Sequence, residues 1–527
     1  MALTITSSHS LTTSRRWLRS LAMPTPLDLV VIVFGVLVPI RDGMRLFSAD
    51  GDVGRHLRVG TDILRDHALF FQDHYSFTMF GKSFVPYEWL SEVLYTIAYR
   101  LGGFPGITVL AGLVFAATYG LVLVFLNWRG VDPLLAFLTA MVGATVSMAH
   151  WLARPHLFTP LASIGLLFLL ESLSDRPGRS RLVWSTLPLF ALWANLHGGF
   201  LFGLVLIAAF LIGDLGEAYV DSARRAHWLT IARSHGAVFL LAVVGSILNP
   251  SGPALFVHVT SYLGNHYLID HTEEYFSPNF HQFGAQIFLA LILILFAGHA
   301  LRDSRPTLPR LTVMAITLAF GLYSVRNIPL FVVSGLPLGM LGVAPLWTAI
   351  RPMERFRSAV AAGQRGGLIG VWSIVAVVAV LALGLARGKV AGDELLPTGF
   401  SPEHFPVAAV AHARAAGLTG RIFNEFTWGG YLLYAWPEER VFIDGQTDFY
   451  GAALTREYND VYGLGPGWRD DLAKREISLV LVPTDSLLAR ELAREAGWSI
   501  WYRDSTATLL RRDTPGVGTA NSFLPGR

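Results

Sequence analysis

The chain has 527 residues, 53% of them hydrophobic and 15% charged, with a net charge of +3. The apolar share lies above that of an average soluble domain and the charged share below it, and the near-neutral balance gives no sign of a nucleic-acid partner. There is no cysteine, which excludes disulfides, zinc–thiolate sites and a cysteine nucleophile.

The apolar residues gather into long runs. With about 20 residues needed per span, they predict about eleven transmembrane helices, over 27–44, 104–126, 131–149, 157–173, 182–195, 199–219, 234–249, 283–300, 311–325, 328–349 and 367–386. Arg15, Arg16 and Arg19 precede the first run. Asp28 and the lack of a small-residue cleavage site favour a retained first helix over a cleaved signal. Arginine clusters fall in alternate loops: Arg129; Arg176, Arg179 and Arg181; Arg224, Arg225 and Arg233; Arg302, Arg305 and Arg310; Arg351, Arg355, Arg357 and Arg365. The positive-inside rule puts these loops and segment 1–26 in the cytoplasm, and everything after about 387 outside.

The expected organisation is a transmembrane domain 27–386 with a long first outer loop 45–86, then a linker 387–402. An extracytoplasmic α/β domain 403–512 and a disordered tail 513–527 follow. In the α/β domain, strand-like runs at Arg421–Phe423, Arg440–Ile443, Ser478–Val482, Trp498–Tyr502 and Ala507–Leu510 alternate with helical stretches 403–416 and 486–496. That pattern predicts a mostly parallel sheet.

The polar clusters fall on the outer side. The first outer loop opens with Asp50-Gly51-Asp52 and His56. Val53, Leu57 and Leu64 recur at helical spacing opposite Arg58, Asp62 and Arg65, which predicts an amphipathic helix on the membrane surface. A poorly solvated carboxylate there suits a general base, although Asp is also a common loop and cap residue. Glu88 and Glu92 share one helix face and read as solvated acids. Arg154-Pro155-His156 forms the second outer loop, where Arg suits either a phosphate or lipid headgroups. Asn195 and His197 belong to a glycine-containing turn. The fourth loop holds His258, His266, Asp270, His271, Glu273, Glu274 and His281, a density compatible with a divalent metal but with no diagnostic spacing. Arg326-Asn327, between two spans, needs a cavity or a partner.

Taken in order, these segments resemble a known superfamily. The motifs are Asp50-Gly51-Asp52 with His56; Tyr87 to Glu92; Ala153 to Phe158; Asn195 to Phe200; Arg326 to Pro329; and Arg440 to Gly445 with Asp448, Tyr450 and Gly451. The chain resembles the GT-C glycosyltransferases, which include protein O-mannosyltransferases, aminoarabinose transferases and oligosaccharyltransferase catalytic subunits. It differs from its nearest look-alikes in having Gly54 and Arg55 where aromatic residues are usual, and in an Asp-Gly-Asp rather than an Asp-Glu pair.

The resemblance implies an α-helical polytopic membrane protein, GT-C-like, with a small C-terminal α/β domain. It implies transfer of a sugar from a polyprenyl-phosphate donor, drawn from the membrane lipid, to an extracytoplasmic acceptor. Asp52 or Asp50 would be the base, with His56 beside them. Arg154 and Arg326, helped by His56 or His156, would stabilise the leaving phosphate. The wider binding set is Arg154, His156, Asn195, His197, Glu273, Glu274, Arg326 and Asn327. Two other readings stay open: a non-catalytic scaffold of an envelope assembly complex, and a transporter or flippase. Transport would need polar residues along a path through the bilayer, whereas the cytoplasmic half-spans read as apolar.

Overall fold

The computed structural model describes residues 24–48, 51–178, 180–301, 305–364 and 370–513. Outside them lie nearly all of the predicted cytoplasmic segment 1–26 and predicted tail 513–527, together with Asp50, Arg179, Arg302 and Arg365.

Among the described residues, seven helices are long and apolar enough to cross a membrane. They are Phe104–Trp128, Pro133–His150, Pro155–Asp175, Phe200–Val220, Ser222–Ile247, Phe283–Ala300 and Val325–Ala349. At 1.5 Å per residue, even 18 residues reach about 27 Å, close to the hydrocarbon thickness of a bilayer. These seven coincide with seven of the predicted spans. The other four are shorter or interrupted. The first is a helix Pro26–Ile32, a π turn Val33–Leu37 and a helix Val38–Ser48. The remaining three are Thr186–Leu196, Leu308–Tyr323 and Val371–Leu385. The most apolar stretch of Val325–Ala349 is 78% buried against 22% for Phe283–Ala300, so the former is central and the latter peripheral.

Asp28 shows how a carboxylate is accommodated in the bundle. It accepts from the Thr25 backbone N–H at 2.9 Å, and the Thr25 hydroxyl accepts from the Asp28 N–H at 3.2 Å, closing a capping box. Its other oxygen accepts from the Ser373 N–H at 2.7 Å, which ties the first helix to Val371–Leu385.

The apolar reading of the other end of the bundle needs correction. Glu171, Asp214, Glu217 and His235 are buried there. Each has a close partner: Glu171 binds Arg129 at 2.8 Å and Arg310 at 2.7 Å, Glu217 binds Arg305 at 2.7 Å, and Asp214 meets His235 at 2.6 Å. Pairing makes burial of a charge tolerable, and a periodicity reading cannot see partners so distant in sequence.

Four helices and four strands position the candidate site. Helix α1 (Asp52–Asp66) and helix α2 (Trp89–Gly102) belong to the first loop region. Helix α1 forms as predicted, but its polar face is not open to solvent. Arg55, His56 and Asp62 are buried with Val53, Leu57 and Ile63, because α1 is packed between α2 and the C-terminal region. There, strands β1 (Ile422–Asn424), β2 (Leu479–Pro483), β3 (Trp498–Arg503) and β4 (Ala507–Arg512) form one sheet in the order β1-β2-β4-β3. Only β1–β2 is parallel. The expected mostly parallel sheet is therefore wrong: β3 and β4 are joined by a turn capped by Asp504, too short for the crossover that parallel strands require. The run Arg440–Ile443 is not a strand of this sheet. It bridges to the first loop instead, Ser76 beside Val441. The chain also makes helices α3 (Gly429–Ala435) and α4 (Thr447–Tyr462) in this region.

Candidate active site

Glycines place the start of α1 against the C-terminal region. A Cβ on Gly51 would strike the Thr427 carbonyl, and one on Gly54 would strike the Gly430 carbonyl. Without side chains there, α1 and α3 meet backbone to backbone. A Cβ on Gly445 would likewise collide with the Asp52 carboxylate, so Asp52 stands directly against the loop Gly445–Asp448. Arg55 fixes the same junction: it donates to Asp444 at 3.2 Å and to Glu92 at 3.5 Å. Asp444 also accepts from the Gln446 N–H at 2.9 Å and the Tyr450 hydroxyl at 3.1 Å. The two residues that depart from the look-alikes, Gly54 and Arg55, thus both stand at the junction of the loop region with the C-terminal region.

From Asp52 a chain of alternating charge crosses the site. Arg154 lies 3.2 Å from Asp52 and 3.2 Å from one oxygen of Glu274; Arg326 lies 3.2 Å from the other oxygen. Arg326 also donates to the Tyr275 hydroxyl at 3.2 Å and stacks over its ring. Glu274 is held below the usual carboxylate range: burial opposes this, but Arg326 and Arg154 outweigh it. On the other flank, His56 Nδ1 is 3.5 Å from Glu92. Its imidazole is lifted above its ordinary value; burial works against the charge, but Glu92 and the neighbouring acids prevail.

His197 has a defined tautomer. Its Nδ1 accepts from the Gly199 N–H at 3.1 Å and contacts the Thr159 hydroxyl at 2.9 Å, so a neutral ring carries its proton on Nε2, 3.8 Å from Glu88. Burial, aided by Arg326, pushes His197 down to about 3 and keeps it neutral. Burial pushes Glu88 up to about 8, so it is mostly protonated at neutral pH.

Asp52, His56, Glu88, Arg154, His156, His197, Arg326 and the loop Gly445–Asp448 line a polar cavity of about 100 Å³. It continues into a groove of about 420 Å³, whose walls include Leu201, Phe202, Val205, Val259, Leu263 and Leu330. Tyr87, His156, His197, Tyr262, Arg326 and Asp448 line both. The cavity alone is smaller than a usual small-molecule pocket of about 300–1,000 Å³; the groove falls within that range.

Of the sequence-predicted residues, the fold gathers Asp52, His56, Arg154, His156, His197 and Arg326 around the cavity. Glu274 stands behind it, and Asn327 lines the groove. Two do not join them. Asn195 accepts from Trp89 Nε1 at 2.6 Å and donates to the carbonyls of Ala191 and Leu248, bracing the start of α2. Glu273 is exposed and lines neither space. Asp50 lies outside the described residues. Glu88 and Glu92, read as solvated, are recessed and buried respectively. Arg55 and Asp448 were not singled out as site residues by spacing, although Asp448 did stand in the resembling motif; His258, from the loop read as compatible with a metal, has its Nε2 2.8 Å from Asp448 instead. Among the described residues, no three or more His, Asp or Glu side chains converge to hold a metal. His266, His271 and His281 of the fourth loop are exposed and apart, and the carboxylates of Asp52 and Glu274 face arginines.

This architecture is similar in fold to solved structures of an oligosaccharyltransferase and of ArnT. The oligosaccharyltransferase AglB from Archaeoglobus fulgidus, solved with an inhibitory peptide and a dolichol-phosphate, aligns over 90% of this chain and 70% of its own, at TM-score 0.57 and 11% identity. An Archaeoglobus fulgidus oligosaccharyltransferase tethered to an acceptor peptide aligns over 95% of this chain and 74% of its own, at TM-score 0.54 and 12% identity. ArnT from Cupriavidus metallidurans bound to undecaprenyl phosphate aligns over 93% and 99%, at TM-score 0.51 and 14% identity. No family model and no curated protein matches the chain by sequence.

Proposed function

We propose that the protein is a membrane glycosyltransferase that moves a sugar from a polyprenyl-phosphate donor to an acceptor at the extracytoplasmic face of a bacterial inner membrane. The observation that carries this reading is the continuity of the arginine-lined cavity with the apolar groove, through Arg326 and His156. A lipid-linked sugar needs both surfaces at once: hydrocarbon walls for the chain and fixed cations for the phosphate.

In this reading the polyprenyl chain lies in the groove with its phosphate at Arg326 and Arg154. Asp52 accepts the proton of the acceptor hydroxyl as that oxygen attacks the anomeric carbon. The bond from that carbon to the phosphate oxygen breaks, and the lipid phosphate leaves as an anion. Arg154, already 3.2 Å from Asp52, sets the base beside the leaving group, and Glu274 holds the two arginines a fixed distance apart. The fold of AglB and ArnT, solved with dolichol-phosphate and undecaprenyl phosphate respectively, supports the same donor class.

The test is transfer from a radiolabelled polyprenyl-phosphate sugar by Asp52→Asn and Asp50→Asn variants, each assayed singly. Asp52→Asn should lower turnover by at least about 10²-fold, within the range of losses of general base catalysis. Unchanged turnover in both variants would remove the proposed base, and no transfer by the unmodified protein would return the scaffold reading.

A further inference from the structure

A second cleft, of about 590 Å³, lies further along α1 and shares no residue with the cavity or the groove. Its walls are the loop segment His74–Phe80, Arg58 of α1, and Arg421 and Glu438–Arg440 of the C-terminal region. Both sides are fixed in place. The Asp73 carboxylate accepts from the Tyr75 and Ser76 N–H groups at 3.1 Å each and from the Ser76 hydroxyl at 2.7 Å. The loop then pairs with the C-terminal region, Phe77 N–H to the Val441 carbonyl and Val441 N–H to the Tyr75 carbonyl, each at 3.1 Å.

Three of the charged residues in this cleft have ion-pair partners. Arg58 pairs with Asp62 at 2.9 Å, Arg421 with Glu476 at 2.9 Å, and Glu438 with Arg414. Glu439 accepts weakly from the Gly420 N–H at 3.5 Å. Arg440 has neither an ion pair nor a hydrogen-bond partner for its guanidinium among the described residues; it stacks 4.0 Å over Phe80. Phe80 remains 50% exposed, with the His74 ring 6.0 Å away at its edge. Stacking on an aromatic face orients a guanidinium while leaving its donors free for a bidentate anion.

We propose that this cleft binds an anionic saccharide, its carboxylate or phosphate held by Arg440, its apolar ring face against Phe80, and its hydroxyls at His74 and Glu439. The inference rests on the glycosyltransferase reading, since it makes the saccharide the part of the acceptor that lies behind the reacting hydroxyl. Arg58 follows Asp52 by six residues on α1, about 9 Å along the helix axis. The segment Arg440–Asp448 walls the cleft at one end and the cavity at the other. The cleft and the cavity are thus built on the same two segments of the chain.

The full-length protein in nanodiscs is titrated calorimetrically with tetragalacturonate and with uncharged maltotetraose. Tetragalacturonate should bind at least tenfold more tightly. Arg440→Gln should abolish that preference, and Phe80→Ala should weaken binding of both sugars. Equal binding of the two sugars, or an Arg440→Gln variant that keeps the preference, overturns the proposal; so does Arg440-dependent capture of phosphatidylglycerol vesicles in place of tetragalacturonate. Asp52→Asn separates the two readings. It should leave tetragalacturonate binding unchanged while lowering sugar transfer, whereas an unmodified protein that binds tetragalacturonate but transfers no sugar would overturn the function without touching the cleft.

Discussion

Burial keeps a proton on Glu88 at neutral pH, and that makes its contribution to stability measurable. The folded protein holds this proton up to about pH 8, whereas an unfolded chain releases it near 4.5. Between those values the native state binds more protons than the unfolded state, so stability falls as pH rises. Glu88→Gln keeps the shape and has nothing to titrate. Its thermal stability in detergent, measured relative to the unmodified protein, should therefore be higher at pH 8 than at pH 5; a difference that does not vary with pH would show that Glu88 is already ionised. Arg326 makes a different prediction. Its Nη1 touches both Glu274 and Tyr275 at 3.2 Å, and the residue lines the junction of cavity and groove. Arg326→Ala should lower sugar transfer by about 10²–10³-fold, the loss typical for one fixed donor to a developing anion. A loss under about threefold would place the phosphate elsewhere.

The contact between α1 and α3 decides whether the cavity has its C-terminal wall. Alanine in place of glycine inside a helix ordinarily gains about 0.5–1 kcal/mol. At Gly54 the added methyl meets the Gly430 carbonyl, so Gly54→Ala should instead destabilise, by about 1–3 kcal/mol. Gly236, in the helix Arg225–Ile247, has open space around its would-be Cβ and serves as the control: Gly236→Ala should be neutral or stabilising. Denaturation midpoints for both variants check this, and a Gly54→Ala protein as stable as Gly236→Ala would mean that the two helices do not touch. Gly54→Ala should also slow transfer, because it moves the loop Gly445–Asp448 away from Asp52.

The molecule as a whole commits the first loop and the C-terminal region to one face of the membrane, since Arg55 and Asp444 are 3.2 Å apart and Val441 pairs with the loop. The chain has no cysteine, so single cysteines can report topology without background. Lys82→Cys and Arg494→Cys, both at exposed positions, should react with an impermeant maleimide applied from outside the cell; Arg176→Cys should not. Labelling of Lys82→Cys and Arg494→Cys from opposite sides would dismantle the shared site.

Much of this was legible in the order of residues. Runs of apolar residues set seven of the spans, because the bilayer imposes a length that a sequence displays directly. The spacing of Val53 and Leu57 announced α1, and the unusual placement of Arg154 and Arg326 marked two of the residues that line the cavity. Other features were decided only when the chain was packed. The carboxylates of Glu88 and Glu92 look solvated beside Trp89 and become enclosed because α1 and the C-terminal region close over them. Asn195 reads as a turn residue and braces the start of α2, but its partners Trp89 and Leu248 come from elements remote in sequence. The strand-like Arg440–Ile443 has the composition of a sheet strand and finds its partner in the first loop. Membrane crossing and helix formation depend on local composition and periodicity. Protonation, ion pairing and the walls of a cavity depend on which distant segments meet, so tertiary structure alone fixes them.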